Sequence, residues 1–159
     1  RHIIDSAQII DLIDLNRPLC TDIGSGSGLP GIVLAIIMKH KKSDMKFILY
    51  EKSFHKSNFL KEVTSKFDLN VEVLQKDIFE EKNLQSDIIV ARAFKPLPII
   101  LNLIHNNFKS FKEVILFLGK NGKEVLAEVM NEWKFEFEQK KSITNAKSII
   151  IRIKNLEKK

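Results

Sequence analysis

Leu19-Cys20-Thr21-Asp22-Ile23-Gly24-Ser25-Gly26-Ser27-Gly28-Leu29-Pro30-Gly31 sets a short apolar run against three closely spaced glycines and a Pro-Gly pair. Residues 19–23 read as a strand. Pro30 falls in the first turn of a helix, where its missing N–H would have been unpaired in any case, and residues 31–39 continue as that helix. A strand, a glycine turn and a helix in direct succession put the turn at the carboxyl edge of a sheet, where open α/β folds bind ligands. Glycines suit that edge because a side chain would hold a ligand off the backbone and because tight turns use positive φ.

The rest of the chain repeats the unit. Residues 3–15 read as a helix with Ile3, Ile10 and Ile13 on one face. Strand-like runs at 46–50, 71–74, 87–91 and 114–118 alternate with helical stretches at 54–66, 97–107 and 124–132. Residues 133–138 and 148–153 close the chain as a β pair around Asn145. The Ile88-Ile89-Val90 run predicts a strand buried on both faces. This succession predicts an α/β fold, a doubly wound, mostly parallel seven-stranded sheet with an antiparallel edge strand.

Composition agrees with a folded domain. The chain has 159 residues, 44% hydrophobic and 29% charged, which excludes disordered, collagenous and disulfide-scaffold classes. Its longest apolar run, residues 32–38, is far shorter than the roughly 20 residues of a membrane span. Cys20 is the single cysteine, so neither an internal disulfide nor a zinc cluster forms, and an unpaired thiol suits a reducing cytosol. The formal charge of +6 favours polyanionic partners such as nucleic acid. All but four of the 26 basic residues are lysines, and a solvated lysine face is the ordinary alternative. His2, His40, His55 and His105 show no metal-ligand spacing.

The glycine turn is GxGxG. A dinucleotide fingerprint would need glycine where Leu29 stands, and a Walker loop would need a closing Gly-Lys-Ser/Thr that is absent. Asp22, just before the glycines, would repel a pyrophosphate but could hold the cationic end of S-adenosylmethionine, directly or through water. Gly24, Ser25, Gly26 and Gly28 then form the cofactor cradle. Glu51 ends the strand at 46–50, where a carboxylate accepts both ribose hydroxyls of an adenosine. Asp77 follows the next strand and can meet the adenine edge, with Ile78 and Phe79 covering the ring. Arg92, Phe94 and Lys95 share the same sheet edge and offer two cations and an aromatic plane to RNA. The plainer alternatives are a structural glycine loop, Asp77 as a helix cap, Arg92 paired with Asp87 or Glu51, and Phe94 packed in the core.

Arg1-His2-Ile3-Ile4-Asp5-Ser6, the Gly28-Leu29-Pro30-Gly31 end of the turn, Ala91-Arg92-Ala93-Phe94 and the closing segment 148–154 together resemble one family. It is the bacterial ribosomal RNA small subunit methyltransferase G, also called glucose-inhibited division protein B. The resemblance spans the whole chain. It implies a Rossmann-like class I methyltransferase that moves the methyl group of S-adenosylmethionine to N7 of a guanine in the decoding-region loop of 16S rRNA. It implies cofactor contacts at Gly24, Leu29, Ile78, Phe79 and Arg92, and an orienting catalytic role for Arg92 with no general base. Phe94, Lys95, Lys120 and Lys123 would face RNA, although Leu118-Gly119-Lys120 stands where the family usually has Leu-Lys-Gly. Glu51-Lys52-Ser53 replaces a common Asp-Ser pair, a conservative change for ribose binding. His2 and Asp5 belong to the resemblance too, with helix packing as their ordinary role. A single domain over residues 1–159, without the family's preceding helical stretch, is expected to act as a cytoplasmic monomer, with no metal and no membrane. The alternatives from other classes are a catalytically silent RNA-binding or ribosome-assembly module and, disfavoured by Leu29, a nicotinamide-dependent oxidoreductase.

Overall fold

The computed structural model describes residues 1–159. In chain order the elements are α1 (His2–Ala7), β1 (Leu19–Ile23), α2 (Gly31–His40), β2 (Lys46–Tyr50), α3 (Phe54–Lys66), β3 (Val71–Leu74), β4 (Leu84–Gln85), β5 (Ile88–Arg92), α4 (Leu97–Asn107), β6 (Phe108–Ser110), β7 (Glu113–Leu118), α5 (Gly122–Val129), β8 (Trp133–Lys141) and β9 (Ile149–Lys158). Seven strands form one sheet in the order β3-β2-β1-β5-β7-β9-β8, and β4 pairs with β6 as a separate two-stranded piece. The first five strands of that order run parallel, while β9 is antiparallel to both β7 and β8. This is the predicted doubly wound, mostly parallel seven-stranded sheet, with β9 as its one antiparallel strand, next to the edge strand β8.

Two apolar layers cover the sheet because successive strand residues point to opposite faces. Ile89 and Ala91 of β5 join the layer carried by α4 and α5, whereas Ile88 and Val90 join the layer carried by α2 and α3. All four are buried, as the uninterrupted apolar run predicts. The chain moves outward from β1 to β3 and then returns to place β5 on β1's other side. That reversal is the topological switch point, and its crevice opens beyond the carboxyl ends of β1 and β5. No helix is long and apolar enough to cross a membrane.

The first helix departs from expectation. The α-helix stops at Ala7, and residues Gln8–Leu12 tighten into a 3₁₀ turn. Of the expected face only Ile13 is buried, Ile10 is half-buried and Ile3 is 67% exposed, while Ile9 enters the core instead. Gln8 anchors the change, since its amide donates to Asp5 Oδ1 at 2.7 Å and its carbonyl accepts from the Ile143 N–H at 2.9 Å. The two final strands are longer than predicted because β8 lies at the sheet edge and is mostly exposed, so its sequence carries little apolar alternation.

Candidate active site

The turn after β1 is built on glycine geometry. Gly24 and Gly26 have φ of +70° and +56°, in the left-handed region where side chains are strained. A Cβ on Gly24 would overlap the Phe94 ring, so glycine there allows the loop after β5 to close over the turn. A Cβ on Gly26 would meet nothing within 4 Å, which leaves its backbone bare towards open space.

That space is a cavity of about 500 Å³ beyond β1, β2, β3 and β5. Of the residues singled out in the sequence, it brings together Gly24, Gly26, Glu51, Asp77, Ile78, Phe79, Phe94 and Lys95. Glu51 is buried at the end of β2, where Oε2 accepts the Gly26 N–H at 2.7 Å and Oε1 accepts the Ser53 N–H at 3.0 Å. A carboxylate offers about four acceptor sites, so each oxygen keeps capacity for a ligand hydroxyl. Asp77 lines the cavity and also caps the turn Ile78–Glu80, accepting from the Phe79 N–H at 3.0 Å. Phe79 and Phe94 stack with ring centres 6.0 Å apart. Phe94 therefore packs over the glycine turn and forms part of the cavity wall.

Five expected positions fall elsewhere. Asp22 does not face the cavity: it is 1% exposed, and Oδ2 accepts the Gly31 N–H at 2.9 Å, tying the start of α2 to β1. Burial pushes its carboxyl up to about 7, against the lowering effect of that hydrogen bond. Ser25 is buried, with its N–H donating to the Tyr50 carbonyl and its hydroxyl donating to the Asp22 carbonyl. Gly28 is packed against Ile32 and Leu60, and Leu29 is half-buried outside the cavity lining. Arg92 turns to a neighbouring cavity and pairs with Asp5 at 2.7 Å, not with Asp87 or Glu51. Lys120 shares a third cavity with Phe94 and Lys95, and Lys123 stands with Lys120 on a shallow hollow beside it.

The structure also adds residues. Tyr50, Lys52, Lys56 and Lys76 line the cofactor-sized cavity. Asn107, buried at the end of α4, donates from its amide to the carbonyls of Ile78, Phe79 and Glu81 and so holds the turn that carries Ile78 and Phe79. No group of three or more His, Cys, Asp or Glu side chains is placed to hold a metal ion.

The donor set fits S-adenosylmethionine. A bare glycine backbone admits the ligand, a buried carboxylate stands ready for ribose hydroxyls, and Ile78 with Phe79 offers an apolar wall for a purine.

Comparison with known proteins agrees with this architecture. The chain is 55% identical over 159 residues to the ribosomal RNA small subunit methyltransferase G of Pelagibacter ubique (strain HTCC1062), covering 100% of this chain and 75% of the relative. It is 35% identical over 158 residues to the protein of the same name from Rickettsia africae (strain ESF-5), covering 99% of this chain and 79% of that one. A solved S-adenosylmethionine-dependent methyltransferase from Aquifex aeolicus shares the fold at a TM-score of 0.69 and 15% identity, covering 98% of this chain and 90% of that one. The model of the rRNA small subunit methyltransferase G (GidB) family matches residues 1–153. With that match running through both the glycine turn and the closing β pair, the chain belongs to the rRNA small subunit methyltransferase G family.

Proposed function

We propose that this protein is an S-adenosylmethionine-dependent methyltransferase acting on N7 of a guanine in the decoding-region loop of 16S rRNA, within the small ribosomal subunit. One observation carries the cofactor assignment: the bare Gly26 backbone and the buried Glu51 carboxylate meet in one cavity at the switch point. Membership of a family named for rRNA methylation supports the substrate. When bound, S-adenosylmethionine supplies a methyl group on a cationic sulfur; transfer to N7 forms the N–C bond, breaks the S–C bond, leaves its electron pair on sulfur and moves the positive charge to the purine.

The chain's own residues have a limited task. Guanine N7 offers a lone pair and loses no proton on methylation, so no general base is required. Glu51 holds the ribose end and fixes the glycine turn, while Ile78, Phe79 and Phe94 enclose the apolar part of the ligand. Fixing the nucleophile in line at about 3 to 3.5 Å can supply roughly 7 to 11 kcal/mol of the barrier. Lys95, Lys120 and Lys123 lie on the same edge and are suited to RNA phosphates. The proposal includes a monomer acting in the cytoplasm without a metal.

Calorimetric titration with S-adenosylmethionine tests the cofactor site. Saturable binding that weakens in Glu51→Gln is expected. A folded wild-type protein that binds none would contradict the assignment and favour a silent RNA-binding module.

A further inference from the structure

Arg92 ends β5 beside a cavity of about 460 Å³ that shares Ala93 with the cofactor cavity. Its guanidinium is pinned at two points. Nε donates to Asp5 Oδ2 at 2.7 Å, and Nη2 donates to His2 Nδ1 at 2.8 Å. Arginine nitrogens only donate, so His2 accepts at Nδ1 and carries its proton on Nε2. Nη1 has no hydrogen-bond partner within the chain.

Asp5 is itself held from three directions. Its Oδ1 accepts from Thr144 Oγ1 at 2.7 Å, Ser142 Oγ at 3.2 Å and Gln8 Nε2 at 2.7 Å. Against the opposing effect of burial, the hydrogen bonds from Thr144 and Arg92 hold its carboxyl below the ordinary aspartate value. Helix α1, the end of β5 and the turn between β8 and β9 thus meet on one carboxylate whose far side grips Arg92.

We propose that Asp5 is a positioning residue for methyl transfer, fixing Arg92 beside the target base and cancelling its charge. The inference rests on the methyl-transfer reading above. Guanine O6 lies next to N7 on the same base edge and is an acceptor that the free Nη hydrogens can meet. Transfer to N7 places a positive charge on the purine, and an unpaired guanidinium at the cavity wall would oppose it. Paired with Asp5, Arg92 keeps its N–H donors without that opposition. Asp5 therefore acts on the rate of transfer rather than on the affinity for RNA.

Asp5→Asn, which keeps the shape and removes the charge, tests this. Rates are compared at saturating S-adenosylmethionine, because the cavity that holds Asp5 and Arg92 adjoins the cofactor cavity at Ala93. Affinity for small-subunit particles, measured without cofactor, should be equal or tighter. Single-turnover methylation should fall by roughly 10²-fold, the scale of a misplaced reacting group. In an Arg92→Lys background the same change should add little, because coupled residues are non-additive. Should Asp5→Asn fail to fold, Thr144→Val removes a donor to Asp5 without touching Arg92, and a smaller loss of rate at saturating cofactor with the RNA affinity kept is expected. An unchanged rate beside a working wild type, or a loss of RNA affinity equal to the loss of rate, would overturn the assignment alone. A wild type that transfers no methyl group would overturn the functional reading and this inference with it.

Discussion

Glu51 Oε2 accepts the backbone N–H of Gly26 at 2.7 Å, so the carboxylate that ends β2 also fixes the glycine turn that ends β1. One side chain thereby shapes the cofactor loop and faces the cavity that the loop borders. Glu51→Gln keeps one carbonyl acceptor and loses the charge. Hydrogen bonds to a charged group are worth about 1.5 to 3 kcal/mol, and calorimetry should show S-adenosylmethionine affinity weakened within that range. An equal loss for analogues lacking the ribose would show that Glu51 acts on the turn alone.

Gly26→Ala separates ligand space from folding. The added methyl meets no protein atom within 4 Å, so the only folding cost is the left-handed φ of +56°, about 1 to 2 kcal/mol. The variant should melt slightly below wild type and bind S-adenosylmethionine much more weakly. Undiminished affinity in the folded variant would remove Gly26 from the site.

Asp22 gives a pH signature. Its carboxyl titrates at about 7 in the folded chain, against 3.8 for an ordinary aspartate. Between those values the folded state keeps a proton that the unfolded state has lost, so stability is fully present below the lower value and falls as pH rises to about 7. Asp22→Asn does not titrate. Denaturant melts from pH 4 to 8 should show the variant gaining on wild type up to about pH 7 and holding a constant difference above it. A difference independent of pH would show that Asp22 is ionised throughout.

Arg92→Lys keeps the charge and loses the geometry that reaches Asp5 and His2 together. The melt should stay near wild type while single-turnover methylation of small-subunit particles drops by roughly 10²-fold. Full transfer by a stably folded variant would make Arg92 a structural cation only.

Hydrophobic periodicity located the seven strands of the main sheet but not the short β4 and β6, and a residue that directly follows a strand is placed by it. Gly24, Gly26, Glu51 and the 77–79 segment were legible for that reason. Asp22 was not, because its facing depends on strand parity: it shares the buried face of Cys20, and α2 covers that face. The parity was present in the sequence, and it outweighs the expectation that an acid beside glycines meets the ligand. The Asp5–Arg92 pair spans 87 positions and joins two elements that only the finished fold brings together. Asn107 likewise carries no local mark, since the turn it holds lies earlier in the chain, beyond β3. The change from α-helix to 3₁₀ turn at Gln8 was not legible either, because Gln8 is held by Ile143, 135 positions along the chain.

The most direct test is to incubate the purified protein with small ribosomal subunits lacking the modification and methyl-labelled S-adenosylmethionine, then to map the labelled nucleotide by mass spectrometry. The expected result is one labelled guanosine in the decoding-region loop of 16S rRNA, with the methyl group on N7. Label on another atom or another RNA, or none from a protein that binds the cofactor, would contradict it.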